Sequence, residues 1–295
     1  MVPLFAHLNR DRAQTYSLVL ASAGIAHAMH RRSHRWSITV AQHERNAAQR
    51  VISLYLIENP IRQADSVALS PPHPNSWSAV YASLLLATVH IAIAGTGQPS
   101  FFISTFGADA GLILDGQIYR CITALLLHSD WAHLLGNMVA TALFGTFAAR
   151  LYGWGFSWLL IVAAGALGNA GTAWWYGDHH LSIGASTGIF AALGLCAASA
   201  FRDVSQFRSR RRHPWLSLAA ALALLGWLGT SPRSDLLAHL CGLVCGCCIG
   251  IVCVRYLSKY LYGLISRPLQ TVAFAVTSAV LLGSCWWGFI LNHRG

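Results

Sequence analysis

The sequence predicts an all-α polytopic membrane protein with a small α+β module at its N-terminus. Of its 295 residues, 55% are hydrophobic and 10% are charged, and the mean hydropathy is +0.50. This balance is typical of chains that bury much of their surface in lipid, and not of soluble domains. Seven apolar stretches approach the roughly 20 residues that a helix needs to cross a bilayer, and 18 of the 20 Lys and Arg residues lie outside them.

Residues 1–60 are predicted to form a separate cytoplasmic α+β module. A helical pattern around Tyr16 is followed over 27–40 by alternating residues with a charged centre, which predicts a two-stranded ribbon. The stretch AQHERNAAQRVISLYL then predicts an amphipathic helix. Residues 61–76 hold three prolines and are expected to be a linker. No cleavable signal peptide is expected, because the first apolar run is short and interrupted by polar residues.

The predicted membrane spans fall into a core of six helices over 77–257 and one additional C-terminal helix within 258–295. Their bounds are expected at 77–96, 133–152, 156–176, 186–201, 215–230, 236–256 and 270–292. With the N-terminus inside, 17 of the 20 Lys and Arg residues lie in cytoplasmic segments, as the positive-inside rule requires. No organelle-targeting segment is recognisable. We therefore expect an integral protein of the bacterial cytoplasmic membrane, with seven spans and the C-terminus outside.

Three other classes of site are disfavoured by the sequence. The net charge of +10 follows the topology and does not form a basic patch with interleaved aromatic residues, so no nucleic-acid partner is expected. Seven of the eight cysteines lie within apolar runs, and only Cys121 is expected near an aqueous face, which disfavours disulfides. The 14 histidines raise the alternative of a metal transporter or metalloprotease, but the chain lacks HExxH, so neither a metal nor a cofactor is expected.

Four polar groups are expected at one depth in the outer half of the bilayer. His133 and Asn137 are four residues apart in the second span, and Ser186 stands at the outer start of the fourth. His239 lies about one turn inside the sixth span, or about 6 Å by helix rise. Strongly hydrogen-bonding groups within a bilayer are costly unless they face a cavity or each other, and they mark functional sites.

These residue types fit the chemistry of acyl transfer. A serine hydroxyl such as that of Ser186 attacks a carbonyl only when a base takes its proton, and the neutral imidazole of His239 is a suitable base. The oxyanion that forms needs donors, which His133, Asn137 and the Ser186 amide could supply. Gly184 would allow close approach of a substrate backbone. Each group alone has a packing explanation, since polar side chains also bridge membrane helices, so the prediction depends on all four together.

Small residues predict how Ser186 and His239 could meet. Ala238, Gly242, Gly246 and Gly250 recur at intervals of four in the sixth span and form a groove for another helix. Gly194 lies at the facing level of the fourth span. Close packing of these two spans would bring the imidazole to the hydroxyl, although generic helix packing explains the outer members of the series equally well.

Three segments, in this order, resemble the rhomboid family of intramembrane serine proteases. They are GQIYRCITALLLHSDWAHLLGNM, GASTGIFAALG and DLLAHLCGLVCG, and the resemblance covers residues 77–257. It implies a rhomboid-like six-helix core that cleaves the membrane segments of transmembrane protein substrates near their outer ends, without a metal or cofactor. The chain departs from the common pattern at Thr187, where a glycine often follows the serine, and at Ala149, where many relatives carry a glutamate.

The resemblance also implies a role for each matching residue. Ser186 would be the nucleophile and His239 the general base of a dyad without an acid. His133, Asn137 and the Ser186 amide would form the oxyanion site, beside Gly184. His128 would support the first external loop, and Phe190 would pack on the catalytic imidazole.

Two alternatives remain open in the sequence. The chain could be a catalytically silent membrane binding or chaperone protein built on the same scaffold, although a silent scaffold needs neither Ser186 nor His239. Asp235, one turn before His239, could act as a third catalytic acid. We expect it to cap the helix instead, because an aspartate at a helix start commonly does so.

Overall fold

The computed structural model describes residues 1–32, 35–59, 77–206, 235–257 and 266–293. The chain divides into two compact units between residues 68 and 69. The predicted linker over 61–76 and the predicted fifth span over 215–230 both lie outside the described residues. The count of seven spans therefore stays a prediction.

The first unit is a three-stranded antiparallel sheet with two helices. Its elements are β1 Val2–Leu8, α1 Arg10–Ser22, β2 His27–Arg32, β3 Arg35–Val40 and α2 Arg45–Glu58, and the strand order is β1-β3-β2. Leu20, Ile38 and Ile52 are almost fully buried and form its core. The ribbon of β2 and β3 falls where the sequence predicted one. Strand β1 was not predicted, because its register with β3 is irregular and its apolar residues do not alternate cleanly.

The second unit is a helical bundle. Its long helices are α3 Ser78–Gly95, α7 Trp131–Tyr152, α8 Phe156–Tyr176, α9 Ser186–Gln206, α10 Leu236–Val252 and α11 Arg267–His293. Among the described helices, five are long and apolar enough to cross a membrane, namely 78–95, 131–152, 156–176, 236–256 and 267–292. The apolar part of α9 is shorter, covering Ser186–Ser199. A mostly helical, polytopic membrane fold follows.

The exposed surfaces of these helices suit lipid. Large apolar side chains are more than half exposed on several of them, such as Val139 on α7, Trp174 on α8 and Leu282 on α11. The interior instead holds small residues, such as the fully buried Ala164 and Ala191. Small interior residues let helix backbones approach closely, which is how helices associate where no hydrophobic driving force acts between them.

Helices α9 and α10 lie in direct backbone contact, as the small-residue series predicted. A Cβ atom on Gly246 would overlap the carbonyl oxygen of Ala191, and one on Gly242 would overlap that of Thr187. From the other side, a Cβ on Gly194 would overlap the carbonyl oxygen of Leu243. This contact fixes the height of His239 against the start of α9.

The segment between α3 and α7 is folded into short elements: α4 Pro99–Phe106, β4 Ala108–Asp109, α5 Ala110–Leu114 and α6 Arg120–Thr123. Arg120 is 5% exposed and holds the segment together by donating to the carbonyls of Ser104 at 2.7 Å and Gly107 at 3.0 Å. Cys121 is buried, with 5% of its surface exposed, and burial raises the pKa of its thiol to about 11. The expectation that Cys121 lies near water was therefore wrong, because α6 turns this side chain toward α8.

Helix α11 is attached at both of its ends. Near its start, the buried Gln270 accepts hydrogen bonds from the amides of Gly155 and Phe156, at 2.8 and 2.9 Å. Near its end, Gly288 leaves room for the rings of Phe106 and Tyr119, which a Cβ atom there would approach within 2.6 and 2.8 Å. The C-terminal helix is therefore packed against the folded segment as well as against α8.

Candidate active site

The turn that presents Ser186 is held from two sides. Strand β5, Leu181–Ser182, pairs antiparallel with β4, and the amide of Gly184 donates to the carbonyl of Ala124 at 2.9 Å. Gly184 has a φ of +130°, a conformation that side-chain-bearing residues rarely adopt. Ser186 follows as the first residue of α9, where helix geometry leaves backbone amides without helical acceptors.

Ser186 and His239 meet across the contact of α9 and α10. Ser186 Oγ lies 2.8 Å from His239 Nε2, a hydrogen-bonding distance. His239 is 6% exposed, and the ring of Phe190 stacks on its imidazole with 4.6 Å between centroids and 25° between planes. The structure thus brings together three of the residues that the sequence singled out, and the stack restrains the imidazole plane.

His133 lies on the other side of Ser186. A Cβ atom built on Gly184 would lie 2.8 Å from His133 Nε2 and 3.4 Å from Ser186 Oγ, so both side chains border the space that the glycine leaves open. Asn137, one turn further along α7, is 6% exposed. Its amide nitrogen is buried and has no hydrogen-bond partner among the described residues. An unpaired buried donor is costly, which fits a group that waits for an acceptor.

His128 packs beside His133 in the turn that precedes α7. Their ring centroids are 5.2 Å apart, and His90 of α3 lies 6.5 Å from His128. Burial, together with these two neighbouring imidazoles, lowers the pKa of His128 to about 3. The ring is therefore neutral near pH 7 and cannot be protonated there without disturbing its packing.

Asp235 is occupied by partners other than the dyad. One carboxylate oxygen accepts from the amide of Ala238 at 3.0 Å and caps α10, as expected. The other lies 2.7 Å from His180 Nε2. Burial raises the pKa of Asp235, but the hydrogen bonds from Ala238, His180 and Ser182 outweigh it, so the pKa lies below its usual value. This aspartate joins the loop before α9 to the start of α10.

Sequence reasoning missed His180 and Ser129. His180 lies 55 residues from its partner in a loop without periodicity, so no pattern could pair the two. The hydroxyl of Ser129 contacts the side chains of both Asp130 and His133. In the sequence, only its place in the motif HSDWAH could have indicated this. Within the described part of the chain, no three His, Cys, Asp or Glu side chains are arranged to hold a metal ion.

Comparison with known proteins gives a consistent result. A family model described as "Rhomboid domain" matches residues 115–256. The chain is 30% identical over 149 residues to "Rhomboid protease GluP" of Bacillus subtilis, which covers 50% of this chain and 29% of that protein. It is 29% identical over 150 residues to "Rhomboid-like protease 1" of Toxoplasma gondii, covering 50% and 51% of the two chains.

A longer match extends over more of the chain. "RHOMBOID-like protein 6, mitochondrial" of Arabidopsis thaliana is 24% identical over 213 residues, which is 68% of this chain and 69% of that protein. The chain thus spans less than a third of GluP and about half of the Toxoplasma protease. The matched domain contains every candidate site residue, from His128 to His239, and these matches together support a rhomboid family protein.

Proposed function

We propose that this protein is an intramembrane serine endopeptidase that cleaves transmembrane segments of membrane proteins near their outer ends by a Ser186–His239 dyad. The observation that carries the proposal is the 2.8 Å contact between Ser186 Oγ and His239 Nε2 at the meeting of two membrane helices. The similarity to named rhomboid proteases supports the same activity.

The proposed reaction begins when His239 Nε2 takes the proton of Ser186 as Oγ attacks a peptide carbonyl. The tetrahedral oxyanion would be stabilised by the Ser186 amide, His133 and Asn137. Return of the proton from His239 to the departing amine would leave an acyl-enzyme, and water activated by the same imidazole would release it. Asp235 takes no part in these steps, since it is bound to Ala238 and His180.

The proposed substrates are transmembrane proteins within the bilayer. His239 is in the first turn of α10, so the dyad would lie a few ångströms inside one membrane face. A substrate helix must unwind before its carbonyl reaches the serine, because helical carbonyls are already hydrogen-bonded. We propose that this face is the outer one, on the distribution of Lys and Arg, and that the N-terminus is inside.

The test combines covalent labelling with cleavage. A fluorophosphonate probe should label the wild-type protein in detergent but not Ser186→Ala, and labelling should be nearly lost in His239→Ala. A reporter with one transmembrane segment, reconstituted with the protein in liposomes, should be cleaved only by the wild type. Ser104→Ala is a matched control, because among the described residues this exposed hydroxyl donates to a carbonyl of its own helix, that of Phe101.

The alternative of a silent binding or chaperone protein makes a different prediction. It requires that the reporter be captured without cleavage and that no probe label Ser186. Cleavage that persists in folded, inserted Ser186→Ala would equally exclude the proposed dyad.

A further inference from the structure

Three side chains form a short chain of hydrogen bonds at the start of α7. Ser129 Oγ lies 2.9 Å from Asp130 Oδ2 and 3.2 Å from His133 Nδ1. The other carboxylate oxygen of Asp130 accepts from the backbone amide of His133 at 2.9 Å and caps the helix. The carboxylate therefore contacts the same histidine twice, once through the backbone and once through the serine.

Counting protons fixes the direction of these bonds. A hydroxyl has one proton to donate, and a carboxylate can only accept. Hydrogen bonds to a charged acceptor are about twice as strong as neutral ones, so the proton of Ser129 goes to Asp130. Ser129 Oγ then accepts from Nδ1–H of His133. In the neutral ring this leaves Nε2 with a lone pair and no proton.

An unprotonated Nε2 cannot donate a hydrogen bond to the oxyanion, so His133 can fill its proposed role only if the ring takes a second proton. Nε2 is the nitrogen that borders Gly184 and Ser186, where an oxyanion would need a donor. We propose that Asp130, acting through Ser129, holds His133 as a doubly protonated imidazolium, which then gives the oxyanion a charge-assisted hydrogen bond. The inference rests on the proposed function, and it makes Asp130 and Ser129 positioning residues.

The protons balance without any further reactant. The second proton on His133 comes from water before the attack and remains there through both half-reactions. The proton of Ser186 passes independently to His239 and then to the leaving amine. The imidazolium charge is matched by the Asp130 carboxylate, whose pKa the amide of His133 and the hydroxyl of Ser129 hold below its usual value.

Four titratable groups face His133 among the described residues. They are His90 from α3, His128 and Asp130 from the turn before α7, and His239 from α10. His128 is neutral near pH 7, since burial lowers its pKa to about 3. His239 is neutral when it acts as a base. Asp130 is thus the one carboxylate of this group, at the end of the hydrogen-bond chain.

Three substitutions separate the effect of the Asp130–Ser129–His133 hydrogen bonds from that of the helix cap. In Asp130→Asn, Oδ1 still caps α7, but the amide NH₂ donates to Ser129, so Ser129 donates to Nδ1 and the single proton of His133 moves to Nε2. Ser129→Ala removes the link and leaves the cap untouched. Ser129→Thr keeps a hydroxyl and should restore wild-type behaviour.

The experiment measures kcat and KM against pH for a fluorogenic transmembrane peptide with the full chain in detergent. Wild type and Ser129→Thr should lose activity on the alkaline side, as His133 loses its second proton. In Ser129→Ala this loss should begin at lower pH, with kcat reduced roughly tenfold and KM unchanged, because a charged donor is weakened. In Asp130→Asn the alkaline loss should disappear, since the neutral ring already donates from Nε2.

A spectroscopic readout tests the same assignment directly. In the phosphonylated enzyme, ¹⁵N chemical shifts of His133, identified by comparison with His133→Gln, should report both ring nitrogens as protonated. Identical alkaline limbs in wild type, Ser129→Ala and Asp130→Asn would overturn the inference while leaving the dyad intact, provided that Ser186→Ala is inactive. An inactive, unlabelled wild type would instead overturn the proposed function itself. If Asp130→Asn fails to fold, the pH profiles of Ser129→Ala and Ser129→Thr still test the inference.

Discussion

Gly184 shows how much one residue constrains the candidate site. It combines a φ of +130° with a position where an added Cβ would lie 2.8 Å from His133 Nε2. We predict that Gly184→Ala lowers kcat/KM by roughly a hundredfold, the effect of losing one oxyanion donor, because the methyl group displaces the imidazole. Cleavage of the transmembrane reporter by the purified variant measures this.

Gly116→Ala is the control for backbone strain alone. Gly116 also has a positive φ, of +99°, but a Cβ there would meet nothing within 4 Å. It should lower the thermal stability without a comparable loss of kcat/KM in the fraction that remains folded. Equal losses of activity in the two variants would mean that strain, and not the space beside His133, explains the effect.

His128 gives the stability of the protein a pH dependence with a definite sign. Its folded-state pKa of about 3 lies below the about 6.5 of an unfolded histidine, so between these values only the unfolded chain takes up the proton. Stability should therefore fall as the pH falls from about 6.5 toward 3, by up to about 1.4 kcal/mol per pH unit from this group. Thermal unfolding in detergent at several pH values measures the slope.

His128→Phe should flatten that slope, because the ring remains and the titrating nitrogens are removed. His179→Asn is the control, since His179 is exposed and its φ of +54° suits asparagine. If His128→Phe left the slope unchanged, the acid sensitivity would belong to other groups.

Sequence alone predicted the residues of the site whose spacing is set by helices. His133 and Asn137 share a face by periodicity, and the glycines of α10 predicted its contact with α9. It could not pair His180 with Asp235, or orient Ser129, because these contacts depend on loop geometry that periodicity does not encode. The proton state proposed for His133 likewise depends on side-chain distances that the sequence does not give.

Among the elements, α11 is joined to the turn before α8 by the hydrogen bonds of one glutamine. Gln270 is 2% exposed. Its side chain accepts hydrogen bonds from the amides of Gly155 and Phe156, at the start of α8, and donates one to the carbonyl of Tyr152 at 3.2 Å. It thus satisfies groups that both helix ends would leave unpaired. We predict that Gln270→Leu destabilises the second unit by about 2–4 kcal/mol, because buried donors lose their acceptor. Thermal unfolding in detergent tests this.

Thr271→Val provides the matched control on the next residue. Its hydroxyl is exposed and, within the described part of the chain, donates to the carbonyl of Arg267 one turn earlier at 3.0 Å, so the effect should stay within about 0.5 kcal/mol. A similar cost for both substitutions would show that α11 is held by its apolar surface and not by Gln270.

The ends of the long helices were predictable where a cap or a glycine marks them. Asp130 and Asp235 cap α7 and α10, while Gly153 and Gly177, both with positive φ, follow α7 and α8. The short elements between α3 and α7 were expected only as a partly apolar connection. They are held by carbonyl contacts of Arg120 and by the pairing of β4 with β5, which join residues far apart in the sequence.

At the scale of the whole molecule, the two units have separate cores. Among the described residues, the buried cluster around Leu20, Ile38 and Ile52 lies in the first unit, and the clusters around Leu195, Phe190 and Phe106 lie in the second. Every candidate site residue belongs to the second unit. Each unit thus has a hydrophobic core of its own among the described residues.

We therefore predict that a chain beginning at residue 69 inserts, folds and keeps the reactive serine. Fluorophosphonate labelling of this chain in liposomes should match that of the full protein within about twofold, because the Ser186–His239 contact and the α9–α10 packing lie wholly within it. The same truncation carrying Ser186→Ala sets the background. Loss of labelling in truncated protein that is inserted and thermally stable would mean that residues 1–68 act on the site, and that the first unit is a regulator of the second.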